Sequence, residues 1–158
     1  CLNSKIVEYC INFEMMEDSR KYIKQNFQKN NLHNNYLILE KAEKNFLDLI
    51  LDKIKLEETL FLLDVEGDEF KLLSEKVLSQ LKNSFIIIEF HHFYSDNLSQ
   101  EDLIRSIQKY FHIKWIKTES RNFSKYKVLN KFSDDEKWLM MSESRPATMQ
   151  WLCCIPKK

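Results

Sequence analysis

The sequence predicts an α/β sandwich with a mainly parallel sheet. Short apolar runs, of which residues 60–63 are the clearest, alternate with segments whose apolar residues recur at helical spacing. This alternation of strand and helix is typical of proteins in which helices cover a parallel sheet. Two strand-like runs close together near the C terminus indicate an antiparallel edge strand on the same sheet.

The predicted strands are runs rich in β-branched and aromatic residues, bounded by polar or turn-forming residues. They lie at residues 5–13, 36–40, 59–64, 84–89, 111–116 and 149–155. The predicted helices show apolar residues at spacings of three and four. They run from Asp18 or Ser19 to about Asn30, over 42–54, over 68–82, from Ser99, and over 134–141. Ser99 and Asp102 have the spacing of a capping box at the start of the fourth helix.

The length and composition of the sequence argue against several classes of protein. The length of 158 residues indicates a single domain over 1–158. The charges balance to zero, which argues against a general nucleic-acid binder. Apolar runs stay shorter than the roughly 18 residues of a membrane span, and no signal-peptide pattern opens the sequence, so a cytoplasmic location is expected.

Cysteine and glycine usage carry two further expectations. Three of the four cysteines lie in or beside apolar runs, so they are interpreted as small buried hydrophobic residues rather than bridges. None forms a CxxC pair, which argues against a cysteine zinc site. Gly67 is the only glycine, where average usage of roughly 7% would give about eleven. The sequence also begins with Cys1 rather than methionine. The initial cysteine suggests a fragment or a processed start, and the single glycine indicates that the sequence contains no glycine-rich phosphate loop.

Acidic residues follow the predicted strands in a repeated pattern. Because the carboxyl ends of parallel strands meet at one edge of a sheet, they are expected to share a cleft there, with His91 and His92 beside them. The acids concerned are Glu14, Glu40, Asp64, Glu66 and Glu89. The alternative is that acids simply occur often in the turns that follow strands.

Each group in this predicted cleft suggests a chemistry. A carboxylate at the position of Glu14 can accept the hydroxyls of a ribose. Asp64 and Glu66 can hold a cationic group, a metal ion or a proton in transit. His91 or His92 can act as a general base near neutral pH, although one can equally pack in the core and the other be solvated.

A calcium loop is excluded by its spacing. The acids from Asp64 onward occupy the first, third, fifth and twelfth places of an EF-hand loop, but Glu69 stands where glycine is required. A strand rather than a helix also precedes the loop. No metal ligand is therefore assigned from the sequence.

The sequence resembles the FkbM-type methyltransferases over about residues 5–93. Three segments carry the resemblance, which are DVEGDEFKLL, IIIEFHH and, upstream of them, INFEMMEDSRKYIKQNFQKNNLHNNYLILEKA. That family is a branch of the class I S-adenosylmethionine-dependent methyltransferases. The resemblance implies a Rossmann-like three-layer sandwich whose first strand and glycine-rich loop are missing here, so by this resemblance the sequence is expected to be the C-terminal portion of a longer domain. It also implies O-methylation of a hydroxyl on a sugar or small metabolite, with S-adenosyl-L-methionine as cofactor and a small molecule or glycan as acceptor.

The resemblance implies roles for individual residues. The cofactor-binding residues it implies are Glu14, Glu40, Lys41, Ala42, Asp64, Glu66 and Gly67. The residues it implies for catalysis, beside the methyl donor and the acceptor, are Asp64, Glu89 and His91. Two other hypotheses stay open at this point. One is a non-catalytic remnant that acts as an interaction module, and the other is a metal-dependent hydrolase that uses Asp64, Glu66, Glu89 and His91.

Overall fold

The computed structural model describes residues 6–91, 97–117, 122–142 and 149–157. The chain divides into two compact units, which we call unit 1 (Cys1–Lys53) and unit 2 (Ile54–Lys158). Strands and helices occur in both, so the predicted α/β class is confirmed. The prediction of a single domain over 1–158 stays a prediction. Among the described residues, no helix is both long and apolar enough to cross a membrane.

Unit 1 is built on two parallel strands. Its elements in chain order are β1 (Cys10–Phe13), α1 (Glu17–Lys29), β2 (Tyr36–Leu39) and a 3₁₀ turn at Phe46–Leu49. The strands pair in register from Cys10 opposite Tyr36 to Phe13 opposite Leu39. Aromatic packing joins the elements, since the rings of Phe27 in α1 and Tyr36 in β2 stack with their centroids 4.1 Å apart.

The helix predicted over 42–54 is wrong, because this segment forms only the 3₁₀ turn at Phe46–Leu49 followed by further turns. The apolar residues that suggested the helix, Phe46, Leu47 and Ile50, are nevertheless buried. A tight turn is enough to place three neighbouring side chains on one side of the backbone. Burial therefore accounts for the apolar spacing without a continuous α-helix.

Unit 2 contains the other four strands and four of the helices described. Its regular elements are β3 (Leu60–Leu63), α2 (Glu69–Leu72), α3 (Glu75–Leu81), β4 (Phe85–Phe90), α4 (Asn97–Tyr110), β5 (Phe111–Lys117), α5 (Asp134–Met141) and β6 (Gln150–Pro156). Short 3₁₀ turns lie at Leu56–Glu58, Phe123–Lys125 and Lys127–Lys131.

The sheet of unit 2 has the strand order β3-β4-β6-β5. β3 and β4 are parallel, with Leu63 opposite Ile88, whereas β6 is antiparallel to both of its neighbours. The predicted antiparallel pairing of the last two strands is therefore confirmed. The sheet is mixed, however, and β6 lies inside it while β5 forms the edge. The three-layer Rossmann-like arrangement stays a prediction.

The core of unit 2 lies between the sheet and the helices that pack on it. Every second side chain of β4 and β6 points into this core, as the twofold repeat of a strand requires. Its most deeply buried apolar residues are Leu78, Leu81, Ile86, Ile88, Ile107, Phe111, Leu152 and Cys154. Burying one such aliphatic side chain contributes about 1.5–3 kcal/mol, so this cluster fixes the position of β4 firmly.

Two predicted helices differ from the structure, one because it is interrupted and one because it begins earlier. The helix predicted over 68–82 is interrupted after Leu72, because the hydroxyl of Ser74 accepts the N–H of Val77 and begins α3 as a new helix. The helix predicted from Ser99 is α4, which begins two residues earlier at Asn97. The Ser99 side chain lies outside the part of the chain that the structure describes, so the capping box there stays a prediction.

The helix predicted over 134–141 is confirmed as α5. A capping box at Ser133 explains its start, since the Ser133 hydroxyl accepts the N–H of Glu136 and the Glu136 carboxylate accepts the N–H of Ser133.

Candidate functional site

A strained turn follows β3. Glu66 has a φ of 49° and Gly67 a φ of 96°, so two successive residues lie in the left-handed region. Glycine takes this conformation without steric cost, but a residue with a Cβ, such as Glu66, does so at about 1–2 kcal/mol. The turn reverses the chain between the end of β3 and the start of α2. It leaves the Asp64 and Glu66 carboxylates partly exposed.

The Glu69 carboxylate holds this turn against the end of β4. Its Oε2 accepts the backbone N–H of Gly67 at 3.0 Å, and its Oε1 accepts the backbone N–H of His91 at 2.8 Å. The residue is 0% exposed. A buried carboxylate is stable only where donors or opposite charge compensate for its lost hydration, and these two N–H groups supply part of that compensation.

The His91 imidazole lies among three carboxylates. Its Nε2 is 3.7 Å from Oδ1 of Asp64 and 3.5 Å from Oε2 of Glu66, and its Nδ1 is 3.5 Å from Oε1 of Glu69. The ring is 2% exposed. An imidazole in this environment can carry a proton between groups or bind a metal ion through the nitrogen that is not protonated.

Asp64, Glu89 and His91 form a potential metal-binding cluster, because each offers one ligand atom and these atoms lie within 4.8 Å of one another. The register of the parallel pair explains the arrangement. Leu63 of β3 stands opposite Ile88 of β4, so the next residues along, Asp64 and Glu89, come side by side. His91 follows Glu89 by two positions, which matches the period of a strand.

The size of the cluster suits a single ion. Ligand bonds to divalent ions measure about 2.0–2.5 Å, so two ligands of one ion are about 3–3.5 Å apart in a tetrahedral site and up to about 4–5 Å apart in a larger coordination sphere. The 4.8 Å limit on the three atoms falls within that range. Glu89 is only 1% exposed, whereas the Asp64 side chain is 49% exposed and can move toward an ion.

The other predicted site residues lie in unit 1. The Glu14 carboxylate accepts the N–H of Met16 at 2.7 Å, next to the start of α1, and the Glu14 N–H donates to the carbonyl of Leu39 at 3.1 Å. Glu40 and Lys41 are exposed and Ala42 is half-buried. Glu14 and Glu40 thus follow two parallel neighbours, as predicted, but the ribose and adenine roles assigned to this group stay predictions.

His92 and Cys1 lie outside the described residues. The three described cysteines, Cys10, Cys153 and Cys154, are free thiols. Burial raises the pKa of the Cys154 thiol to about 12, with a smaller contribution from Cys153. The Cys154 side chain is 1% exposed, so the prediction that cysteine serves as a small buried hydrophobic residue is confirmed at this position.

The sequence does not single out Glu69 as a site residue. It is one acid among several in the segment after β3, and its burial depends on a donor 22 positions away at His91. A weak signal existed, since an acid that directly precedes the apolar face of a helix often contacts nearby N–H groups. Nothing in that signal predicts contact with β4.

Comparison with known proteins gives a likeness of fold. No family model matches the chain, and no curated protein matches it. A solved structure of precorrin 8W decarboxylase from Methanobacterium thermoautotrophicum matches with a TM-score of 0.51 and 12% sequence identity, covering 96% of this chain and 71% of that chain. At this identity the likeness shows the fold alone, and the chain is an α/β protein of that general architecture.

These findings overturn the methyltransferase prediction. The family model expected for FkbM-type methyltransferases does not match, and a solved structure with a similar fold is named as a decarboxylase. The two alternatives, a methyltransferase-like remnant and a metal-dependent hydrolase, gain no support either. The residues behind the resemblance have a local explanation, because Gly67 and Glu69 build a turn that docks on His91. One α/β fold hosts many unrelated activities, so such a turn does not identify one.

Proposed function

We propose that unit 2 binds one divalent transition-metal ion through Asp64, Glu89 and His91 and presents that ion to an oxygen-bearing small molecule. The observation that carries this proposal is the cluster itself, in which two carboxylates and one imidazole place ligand atoms within 4.8 Å of one another. Two of its three members, Glu89 and His91, are almost fully buried at the end of β4, a rigid core strand.

The acidic residues around the His91 ring support the proposal of a metal site. Asp64, Glu66 and Glu69 all lie within 3.7 Å of the imidazole, and Glu89 belongs to the same cluster. Two of these four acids, Glu69 and Glu89, are buried, and burial weakens the screening of any charge they carry. A divalent cation would offset the charge of two of these carboxylates directly.

The donor set favours a particular group of ions. Carboxylate oxygen suits Mg²⁺, Ca²⁺ and Mn²⁺, whereas imidazole nitrogen suits Zn²⁺, Fe²⁺ and Ni²⁺. A mixed set of one nitrogen and two oxygens therefore favours Zn²⁺ or Mn²⁺ over Mg²⁺ and Ca²⁺. Three protein ligands leave at least one position open for a ligand from solution.

The open position would face solvent on the side of Asp64 and Glu66, whose side chains are 49% and 76% exposed. A carbonyl, hydroxyl or carboxylate oxygen that reached the ion there would be polarised by it. This chemistry fits the predicted small-molecule partner and does not specify a reaction.

Isothermal titration with Zn²⁺ and with Mn²⁺ tests the proposal. We expect one ion per chain, and we expect the variants Asp64→Asn, Glu89→Gln and His91→Gln each to weaken binding at least about tenfold. Asp68→Asn is the matched control, because Asp68 lies in the same acidic turn and pairs with Lys71 at 2.6 Å. Absence of binding to the unaltered protein, or equal weakening by the control, would refute the proposal.

Several finer predictions remain separate proposals. These are the Rossmann-like three-layer arrangement, the cytoplasmic location and the binding of S-adenosyl-L-methionine. Titration with S-adenosylhomocysteine tests the last of these, and the residues predicted to hold the ribose and adenine, such as Glu14 and Glu40, lie in unit 1.

A further inference from the structure

We propose that unit 1 binds an extended acidic peptide in the groove between α1 and the outer edge of β2, where the peptide forms a third strand of the sheet. The groove has a volume of about 540 Å³. Ligand clefts measure roughly 300–1,000 Å³, so it is large enough to hold a ligand. Its two walls are basic residues of α1 and the strand β2 itself. The residues in these walls include Arg20, Lys21, Lys24, Tyr36, Leu37 and Ile38.

The outer edge of β2 has no partner strand in the part of the chain that the structure describes, because β2 pairs only with β1. In this pair the carbonyls of Asn35 and Leu39 accept N–H groups from the side of β1, at 3.0 and 3.1 Å. Alternate residues of a strand direct their main-chain groups to opposite edges, so Tyr36 and Ile38 direct theirs away from β1 and into the groove. Such an edge is a template for a further strand, which it binds through main-chain hydrogen bonds.

The α1 side of the groove carries a surplus of positive charge. Arg20, Lys21 and Lys24 line it, and Glu17 is the one acid among the lining residues. Nη1 of Arg20 donates to two backbone carbonyls ahead of α1 at 2.8 Å each, which orients the guanidinium group without neutralising its charge. Among the residues described, Lys24 has no ion-pair partner. The groove therefore favours a ligand with negative charge.

The spacing of these cations matches the spacing of side chains on an added strand. Arg20 and Lys24 are four positions apart, so they lie about 6 Å apart along the helix axis. Alternate residues of a strand point to one face and lie about 6.6 Å apart. α1 packs on the face of β2 that carries Tyr36, whose ring stacks on that of Phe27. A peptide paired with β2 thus presents every second side chain to α1, and acids at those positions meet Arg20 and Lys24.

A second copy of the chain is a poorer occupant of this edge. Antiparallel pairing of two β2 strands about a twofold axis places both α1 helices on the same face of the joined sheet, with their basic sides toward each other. Lys24 of each copy then meets the positive charge of the other. Lysines beside an exposed edge discourage such pairing between identical chains. An acidic strand is attracted by the same lysines, so charge selects the partner.

The first test uses a peptide of alternating glutamate and valine, with a peptide of alternating lysine and valine as its control. Two-dimensional ¹H–¹⁵N NMR with amide hydrogen exchange measures their binding to the complete chain. We expect the glutamate peptide to bind, to slow the exchange of the Tyr36 and Ile38 amides, and to bind more weakly as salt is added. Absence of binding, equal binding of the lysine peptide, or binding that leaves these two amides unprotected would overturn the proposal.

The second test uses two charge reversals on α1. Lys24→Glu should weaken binding of the glutamate peptide at least about threefold, because a repulsion replaces an attraction. Lys29→Glu is the matched control, since Lys29 is exposed on the same helix but does not line the groove, and it should leave the affinity nearly unchanged. The NMR spectrum of each variant shows whether it is folded. Equal weakening by both variants would show that net charge rather than the groove attracts the peptide, and would refute the proposal.

Sedimentation of the chain without peptide tests the second copy as occupant. We expect a monomer whose Tyr36 and Ile38 amides exchange freely. A dimer in which these two amides are protected would assign the edge to a second copy and overturn the proposal.

Discussion

Oε1 of Glu69 accepts the backbone N–H of His91 at 2.8 Å, joining residues 22 positions apart in the sequence. The same side chain also accepts the N–H of Gly67 through Oε2. One buried carboxylate thus fixes the turn after β3 to the end of β4, and it does so beside the ring that we propose binds a metal. The stability of unit 2 and the geometry of its site depend on the same contacts.

Glu69→Ala should therefore destabilise the protein strongly. The substitution leaves two N–H groups without their acceptor, at about 1–3 kcal/mol each, so we expect a loss of about 2–6 kcal/mol. Urea denaturation followed by circular dichroism measures it. Glu57→Ala, at an exposed position of the turn before β3, is the control and should change stability by less than about 0.5 kcal/mol. Equal stability of the two variants would contradict the structural role given to Glu69.

Substitutions at the two residues of the strained turn should change the stability of the protein in opposite directions. Gly67→Ala places a Cβ at a φ of 96° and should cost about 1–3 kcal/mol. Glu66→Asn should stabilise the protein by a few tenths to about 1 kcal/mol, because asparagine tolerates the φ of 49° better than glutamate. Both changes are read from the midpoint of urea unfolding. A stabilising Gly67→Ala would show that the turn does not have this conformation.

Cys154 makes stability depend on alkaline pH. Burial raises its pKa from an ordinary value near 9.0 to about 12, so the folded state favours the protonated thiol. A raised pKa in the folded state gives stability that is complete below the unfolded pKa and is lost as pH rises toward the folded pKa. We expect urea stability to fall more steeply between about pH 9 and pH 11 in the unaltered protein than in Cys154→Ala.

The rate at which the Cys154 thiol is alkylated tests the burial of this side chain. At pH 8 iodoacetamide should alkylate Cys154 far more slowly in the folded protein than in urea, because only the thiolate reacts. Mass spectrometry of digested protein identifies the labelled site. Rapid labelling of Cys154 in the folded state, at a rate similar to that in urea, would disprove its burial.

The core of unit 2 should respond to truncation as a close-packed interior does. Leu78 is 0% exposed, and Leu78→Ala should cost about 2–5 kcal/mol through lost burial and the cavity that remains. Leu139 is 76% exposed, and Leu139→Ala should stay within about 0.5 kcal/mol. Thermal and urea unfolding distinguish them, and a Leu78→Ala variant as stable as Leu139→Ala would show that α3 does not pack on the sheet.

Much of the site follows from the sequence alone. A buried strand that ends at Asp64 and a second that ends near Glu89 need only parallel pairing to bring both acids to one edge, and the twofold period of a strand puts His91 on the same face as Glu89. The structure brings these three residues together. The local sequence pattern was sufficient to predict that these three residues lie together, because each of them is a fixed number of positions from the end of a strand.

Features that depend on distant partners were not predictable. The burial of Glu69 depends on the N–H of His91, which no local pattern reveals. β6 lies between β4 and β5 in the sheet. The sequence of a strand indicates which of its faces is buried, but it does not indicate which strands lie next to it. The segment around Phe46 and Leu47 has an apolar spacing that a 3₁₀ turn satisfies as well as an α-helix does.

Anomalous X-ray diffraction from crystals grown with Zn²⁺ tests the central claim most directly. The account predicts one strong zinc peak per chain, at about 2.0–2.2 Å from a carboxylate oxygen of Asp64, a carboxylate oxygen of Glu89 and Nε2 of His91. A zinc peak bound elsewhere, or no peak near these three residues at saturating Zn²⁺, would contradict it.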